Sequence, residues 1–203
     1  MEDTLYDWLS LLKIYKKYVS LDKKVIEIGA SNRQRSRQLA KLCQNLTGIE
    51  YFKNRIPNNY KNIKYYQGDW QNLNKIKSNK YDILVSSHTI EHVQDDLAAI
   101  NQTYRILKKN GLALITTPNR NRIIRVIIET FTGKRKFPSG EHVREYSLTD
   151  IKTLISQSKF INYKIVPLGL GINSGKYRFY IKTVPKILEK YACFWLIELH
   201  KND

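Results

Sequence analysis

Residues 25–33, Val-Ile-Glu-Ile-Gly-Ala-Ser-Asn-Arg, constrain this chain more than any other stretch. Four residues of strand character stop at a glycine, and a turn of small residues opens a helix expected from about Arg33 to Leu46. A strand that ends on glycine and feeds a helix is the ligand corner of an open α/β sheet. Small residues there let backbone approach a ligand, and the helix start offers unpaired N–H groups.

The rest of the pattern repeats that rhythm. Leu5, Trp8, Leu11, Leu12 and Tyr15 recur at helical spacing over 5–19. Strands are expected at 24–28, at 46–49 ending on Glu50, and at 63–67 ending on Gly68-Asp69. The run 81–86 is almost wholly apolar, as a parallel strand covered on both faces should be. A helix over 97–109 stops at Asn110-Gly111, and a fifth strand covers 112–116 before Pro118. Residues 120–140 form an irregular basic insert, 147–158 a helix, and 161–167 and 177–184 two final strands around Gly169, Gly171 and Gly175. Alternating strand and helix predict an α/β fold: a doubly wound, Rossmann-like sheet, mostly parallel, within a single domain over 1–203.

Composition narrows the setting. Cys43 and Cys193 are far apart with no metal-type spacing, and no basic n-region opens the chain, so a reduced, cytoplasmic compartment is expected. The formal charge of +17 admits nucleic acid, an anionic lipid surface or an acidic small molecule as partner without choosing among them. The positive residues are dispersed, at Arg33, Arg35, Arg37, Lys41 and over 53–64, so they trace no single groove. Nucleic acid is therefore the second choice of partner.

Four strand ends carry polar or small residues: Glu27/Gly29, Glu50, Asp69, and Ser86 to His88. An acid ending the second strand can accept both hydroxyls of a ribose, because a carboxylate is a pure acceptor with two oxygens. An acid ending the third can take the exocyclic amine of adenine. Glu50, Asp69 and Trp70 also read as a loop acid, a cap and a core aromatic.

In VIEIGASNR, GIE, QGDW, YDILVSSHTIEHV, YRILKKNGLALITTPN and EHVREYSLTDIKTLISQSKF, taken in order over residues 24–160, the chain resembles the class I S-adenosylmethionine-dependent methyltransferases of the type 11 group. The resemblance implies about seven strands, the last antiparallel, with S-adenosyl-L-methionine as cofactor. It implies that Glu27, Gly29, Ala30 and Ser31 line the methionine end, Glu50 and Tyr51 the ribose, and Asp69 and Trp70 the adenine. Ser87 and His88 would stand beside the sulfonium and the acceptor. His88 is the first candidate base, with His92, His142 and Tyr146 behind it. The chain departs from the family at Ser31 and Arg33, where glycines are usual, and Arg33 sets a cation at the mouth of the site. If that turn no longer admits the cofactor, the chain is a non-catalytic interaction subunit.

The run His88-Thr-Ile-Glu91-His92 also matches a His-x-x-Glu-His zinc pattern. That pattern needs both histidines on one helical face, and here it follows a buried strand, so no metal is expected. The insert, with Arg120, Arg122, Arg125, Lys134, Arg135 and Lys136 around apolar 123–131, reads as a solvated helix face, as a lid, or as a surface (120–137) resting on the inner face of a membrane. The expected acceptor is a small or lipid-linked hydroxylated molecule, and the expected chemistry O-methylation. Segment 184–200 is amphipathic, with Phe194 to Ile197 contiguous, and should pack on the sheet or on a partner.

Overall fold

Parallel pairing around β1 organises the molecule. The structure, a computed structural model, describes residues 8–133, 141–174 and 177–202. Strand β1 (Lys24–Ile28) lies between β2 (Asn45–Glu50) and β4 (Tyr81–Ser87), parallel to both. β3 (Ile63–Gln67) extends the β2 side, and β5 (Leu107–Pro118) extends the β4 side. β6 (Asn162–Leu168) and β9 (Phe194–His200) complete a sheet of order β3-β2-β1-β4-β5-β9-β6. β9 runs antiparallel to both of its neighbours. β7 (Leu170–Ser174) and β8 (Tyr177–Ile181) form a separate two-stranded hairpin.

Helices cover both faces. On one, Ile26, Ile28, Leu84, Ala113, Ile115, Trp195 and Ile197 meet Ala99, Ile100 and Ile106 of α3 (Asp96–Ile106) and Ile151, Leu154 and Ile155 of α5 (Leu148–Ser156). On the other, Val25, Ile83, Val85, Leu112, Leu114 and Leu196 meet Leu11 and Tyr15 of α1 (Trp8–Tyr15) and Leu39 and Ala40 of α2 (Arg33–Ala40). Successive residues of β5 thus go to opposite cores, as a period-2 strand buried on both faces requires. The helices start where their caps lie: Asn32 accepts from Arg35 N–H, Asp95 from Ala98 N–H, and Ser147 with Asp150 forms a capping box.

The seven-stranded, mostly parallel architecture is the expected one, but four assignments change. The antiparallel strand is β9; of the expected strand 177–184, Tyr177–Ile181 pairs in the hairpin instead. Phe194 to Ile197 are contiguous because β9 sits between β5 and β6 with both faces covered. α2 ends at Ala40, since β2 begins at Asn45. α3 ends at Ile106 and β5 starts at once; Asn110, at φ 59°, lies in the irregular part of β5 where pairing passes from Tyr81↔Leu107 to Ile83↔Leu112. The expected helix over 5–19 is described only from Trp8 and ends at Tyr15.

Because Trp195 is 1% exposed at the centre of one core, Trp195→Ala should cost about 3–5 kcal/mol. Ile187→Ala, at a side chain 85% exposed, should stay within about 0.5 kcal/mol. Urea midpoints of the two variants decide whether β9 is an integral central strand.

Candidate active site

The chain leaves β1 toward β2 on one side and returns to β4 on the other, so the crevice of the sheet opens at the carboxyl ends of β1, β2 and β4. Gly29 turns there at φ 78°, a region other residues avoid. Its N–H and that of Ala30 both donate to the Ile49 carbonyl, at 2.9 and 3.0 Å, which ties the turn to the end of β2. A Cβ at position 29 would stand 2.3 Å from Thr89 Oγ1, so the turn after β4 closes directly over this glycine. Ser31 and Arg33 are exposed, and the Arg33 side chain is turned to solvent.

Around that turn the expected residues separate into two sets. Glu50 ends β2, is 6% exposed, and takes the Phe52 N–H on Oε1 at 3.0 Å. Tyr51 beside it is exposed and meets Phe52 edge-on at 5.1 Å. Glu27 is buried on β1, and its Oε2 accepts no hydrogen bond among the described residues. Burial pushes its carboxyl up to about 7, against the opposing influence of Ser36 and Arg35. Ser87 accepts from Thr116 Oγ1 at 3.3 Å. His88 follows at φ 53°, its N–H bound to the Thr116 carbonyl and its ring edge-on to Phe194 at 4.9 Å. Gly29, Glu27, Glu50, Tyr51, Ser87 and His88 therefore gather at one end of the sheet.

The second set serves the scaffold. Trp70 is in the core, donating from its indole N–H to Thr103 at 2.9 Å, and does not stand at the rim. Asp69, half-buried, has its carboxylate engaged by the Gln71 N–H at 2.9 Å and side-chain amide at 3.0 Å. Tyr146 is a buried brace: its hydroxyl donates to Asp96 at 2.8 Å, and burial and that carboxylate push the phenol up, so it stays protonated. It is thereby removed as a candidate base.

The insert also differs from expectation. Helix α4 (Ile123–Thr132) turns Arg125 inward, where it bridges Glu145 with N···O distances of 2.8 and 3.0 Å. Arg122 lies 3.7 Å from Glu145, and Arg120 pairs with Glu129 at 2.8 Å. These cations hold the insert down and do not form a solvated basic face, while Phe131 is exposed at its far end. Lys134, Arg135 and Lys136 lie outside the described residues.

Two acids matter here that were not among the expected site residues, although Glu91 stands within the zinc-like run. Glu145, buried, receives Arg125 and the His142 ring nitrogen Nδ1 at 3.0 Å. Burial works to raise its carboxyl, yet the hydrogen bond from His142 and the Arg122 and Arg125 charges hold it below the usual range. Glu91 is fully buried; its Oε2 accepts from Thr117 at 3.1 Å, and its Oε1 stands 3.5 Å from His88 Nδ1. The one signal in the sequence was spacing, an acid three residues from a histidine in each case.

Comparison with known proteins identifies the family and the fold. A family model described as a methyltransferase domain matches residues 5–164. A Mycobacterium tuberculosis protein described as a probable S-adenosylmethionine-dependent methyltransferase is 22% identical over 151 residues, 72% of this chain and 52% of that protein. The ubiquinone biosynthesis O-methyltransferase of Actinobacillus pleuropneumoniae is 29% identical over 133 residues, 59% of this chain and 57% of its own length. The chain thus spans about half the length of the curated relatives it matches. Among solved structures, a SAM-dependent methyltransferase from Archaeoglobus fulgidus aligns with a TM-score of 0.69 at 16% identity, covering 98% of this chain and 97% of that one.

The buried Glu27 carries a pH signature. Its folded-state value lies above the ordinary 4.5, so the folded protein binds the extra proton and stability falls as pH rises from about 4.5 to about 7. Glu27→Gln should flatten that slope and raise stability at pH 8 by about 1–3 kcal/mol, read from urea midpoints across pH.

Proposed function

This chain belongs to the class I S-adenosylmethionine-dependent methyltransferases, and we propose that it transfers a methyl group to the hydroxyl of a small or lipid-type acceptor at the carboxyl ends of β1, β2 and β4. The observation that carries this is Glu50, a carboxylate 6% exposed at the end of β2, one strand away from the positive-φ turn at Gly29. The residues present fit the cofactor. Glu27 keeps an orphaned carboxylate oxygen on β1, and the Gly29 turn brings backbone close without a Cβ.

When bound, S-adenosyl-L-methionine supplies an electrophilic methyl on sulfur. Glu50 accepts the ribose hydroxyls, and Tyr51, exposed next to it, offers a ring face to the base. Gly29, Ala30 and Ser31 run along the amino-acid end, where a positively charged amine would let Glu27 ionise. Asp69, whose two oxygens both meet the Gln71 amide, would reach the adenine amine only as a shared acceptor. Trp70 supports this corner from within the core.

Ser87 and His88 define the acceptor side. His88 would take the acceptor's hydroxyl proton as the methyl is transferred. Positioning the two reactants in line supplies much of the acceleration. The positive φ of His88 fits this reading, since strained backbone tends to persist where it aims a functional side chain.

Oxygen as the acceptor atom is supported by the similarity to ubiquinone biosynthesis O-methyltransferases. An apolar or lipid-linked acceptor is supported by the outward Ile127 and Phe131 of α4, with Arg120, Arg122 and Arg125 turned to Glu129 and Glu145. The same pairing weighs against nucleic acid, because those cations are not left for phosphates. A cytoplasmic protein that touches the inner face of a membrane through residues 120–137 suits such an acceptor.

Calorimetric titration with S-adenosylhomocysteine should show micromolar binding, weakened by about 1–3 kcal/mol in Glu50→Ala. Absence of binding by folded wild-type protein would sink the reading and favour an interaction subunit. With a hydroxylated quinol-type acceptor and labelled cofactor, His88→Ala should lower turnover by about 100-fold or more and leave S-adenosylhomocysteine affinity intact. Unchanged turnover would remove His88 from the chemistry.

A further inference from the structure

Glu91 and His92 lie in the single turn that follows β4 (Ile90–His92), and His142 comes from the segment before α5. Backbone hydrogen bonds from Val143 and Arg144 N–H to the Glu91 carbonyl, at 2.9 and 3.2 Å, dock the two segments together. One donor atom from each of Glu91, His92 and His142 lies within 4.8 Å of the others. The two imidazoles meet edge-on, with centroids 4.8 Å apart.

The hydrogen bonds orient both rings for a ligand. His92 Nδ1 stands 3.1 Å from the Glu141 carbonyl, which can only accept, so that nitrogen carries the proton and Nε2 keeps its lone pair. His142 Nδ1 is likewise held by the Glu145 carboxylate at 3.0 Å. A ligating histidine commonly has its second nitrogen held by a carbonyl or carboxylate in this way, which fixes ring orientation and tautomer. Glu91 is 0% exposed, yet its Oε1 accepts no hydrogen bond among the described residues. A buried carboxylate in that state is costly unless a positive group joins it.

We propose that Glu91, His92 and His142 form a binding site for a divalent first-row transition ion such as zinc or cobalt. Two imidazoles and one carboxylate suit such ions better than magnesium or calcium, which favour all-oxygen shells. Donors of one tetrahedral shell stand roughly 3–3.5 Å apart at ordinary metal–ligand lengths, so small side-chain adjustments close the site. His92 is exposed, so the ion has an entry path and an open coordination position on that side.

The ligands are not the His88–His92 pair that the His-x-x-Glu-His spacing suggests. Those two share no helix: His88 sits at φ 53° before the turn, and the second histidine comes from a distant segment. Glu91 also faces His88 at 3.5 Å, so the site borders the acceptor side of the proposed reaction. An acceptor oxygen entering the open position would ionise more readily. That role, though not the binding itself, rests on the proposed function.

The test uses tag-free, chelator-treated full chain without cofactor or acceptor. Titrated with Co²⁺ and followed by ligand-field absorption, and with Zn²⁺ by calorimetry, it should bind one ion at micromolar concentration. His92→Ala, at an exposed position, and His142→Ala should each weaken binding at least tenfold, and His200→Ala, at a histidine paired with Leu112 of β5, should leave it unchanged. Far-UV circular dichroism verifies that the variants are folded. No saturable binding, or equal loss in His200→Ala, would overturn the site. Because S-adenosylhomocysteine binding is measured separately, failure here leaves the methyl-transfer reading standing, and the converse also holds.

Discussion

The clearance between Gly29 and Thr89 is the constraint on which the candidate site depends. A Cβ at position 29 would fall 2.3 Å from Thr89 Oγ1, and that hydroxyl also faces the Ile28 and Ser87 carbonyls at 3.4 and 3.3 Å. The turn after β1 and the turn after β4 are therefore one packed unit, and a glycine with φ 78° allows it. From that unit His88 is set against Phe194 and Glu91 is turned into the interior, while the Gly29 and Ala30 N–H groups bind the end of β2 where Glu50 stands. A single missing methyl group sets the relative positions of three strand ends.

Buried acids give a second view of the same region. The chain has 18 acids against 35 lysines and arginines, yet Glu27, Glu50, Glu91 and Glu145 are all buried near the carboxyl ends of the strands or the segment packed beside them. Each is accommodated differently. Glu145 is matched by Arg125 and His142, which makes it scaffold. Glu50 takes a backbone N–H, while Glu27 and Glu91 each keep one oxygen without a hydrogen bond. Incomplete compensation of that kind is expected where a ligand completes the shell, because a purely structural site gains nothing by leaving a carboxylate unpaired.

Much of this was legible in the sequence, and the failures have physical causes. Strands β1 to β4 follow from short strand-like runs, the first three ended by glycine or acid and the fourth by Ser87-His88, and the structure has strands at those positions. β9 was missed because a strand buried on both faces shows no alternation, and its apolar run reads equally as a packed helix face. Asn110-Gly111 is a helix stop by composition, yet a left-handed Asn also serves an irregular strand, and the parallel pairing of β5 with β4 decided the outcome. Trp70 and Tyr146 have the chemistry of site residues but are claimed by Thr103 and Asp96, partners that only the fold supplies. The approach of His142 to Glu91 was likewise invisible, because it depends on a backbone docking between distant segments.

The insert shows how such docking changes the meaning of charge. Read along the chain, Arg120, Arg122 and Arg125 are a basic cluster fit for phosphate. In the fold, Glu129 and Glu145 face them, and Arg125 is sealed beneath α4. Burying a guanidinium is costly unless a carboxylate meets it in good geometry, so Glu145 fixes where α4 can sit. The same carboxylate holds His142 by Nδ1, and His142 stands against His92. The charge that reads as an external patch is thus spent internally, joining α4 through Glu145 and His142 to the turn after β4.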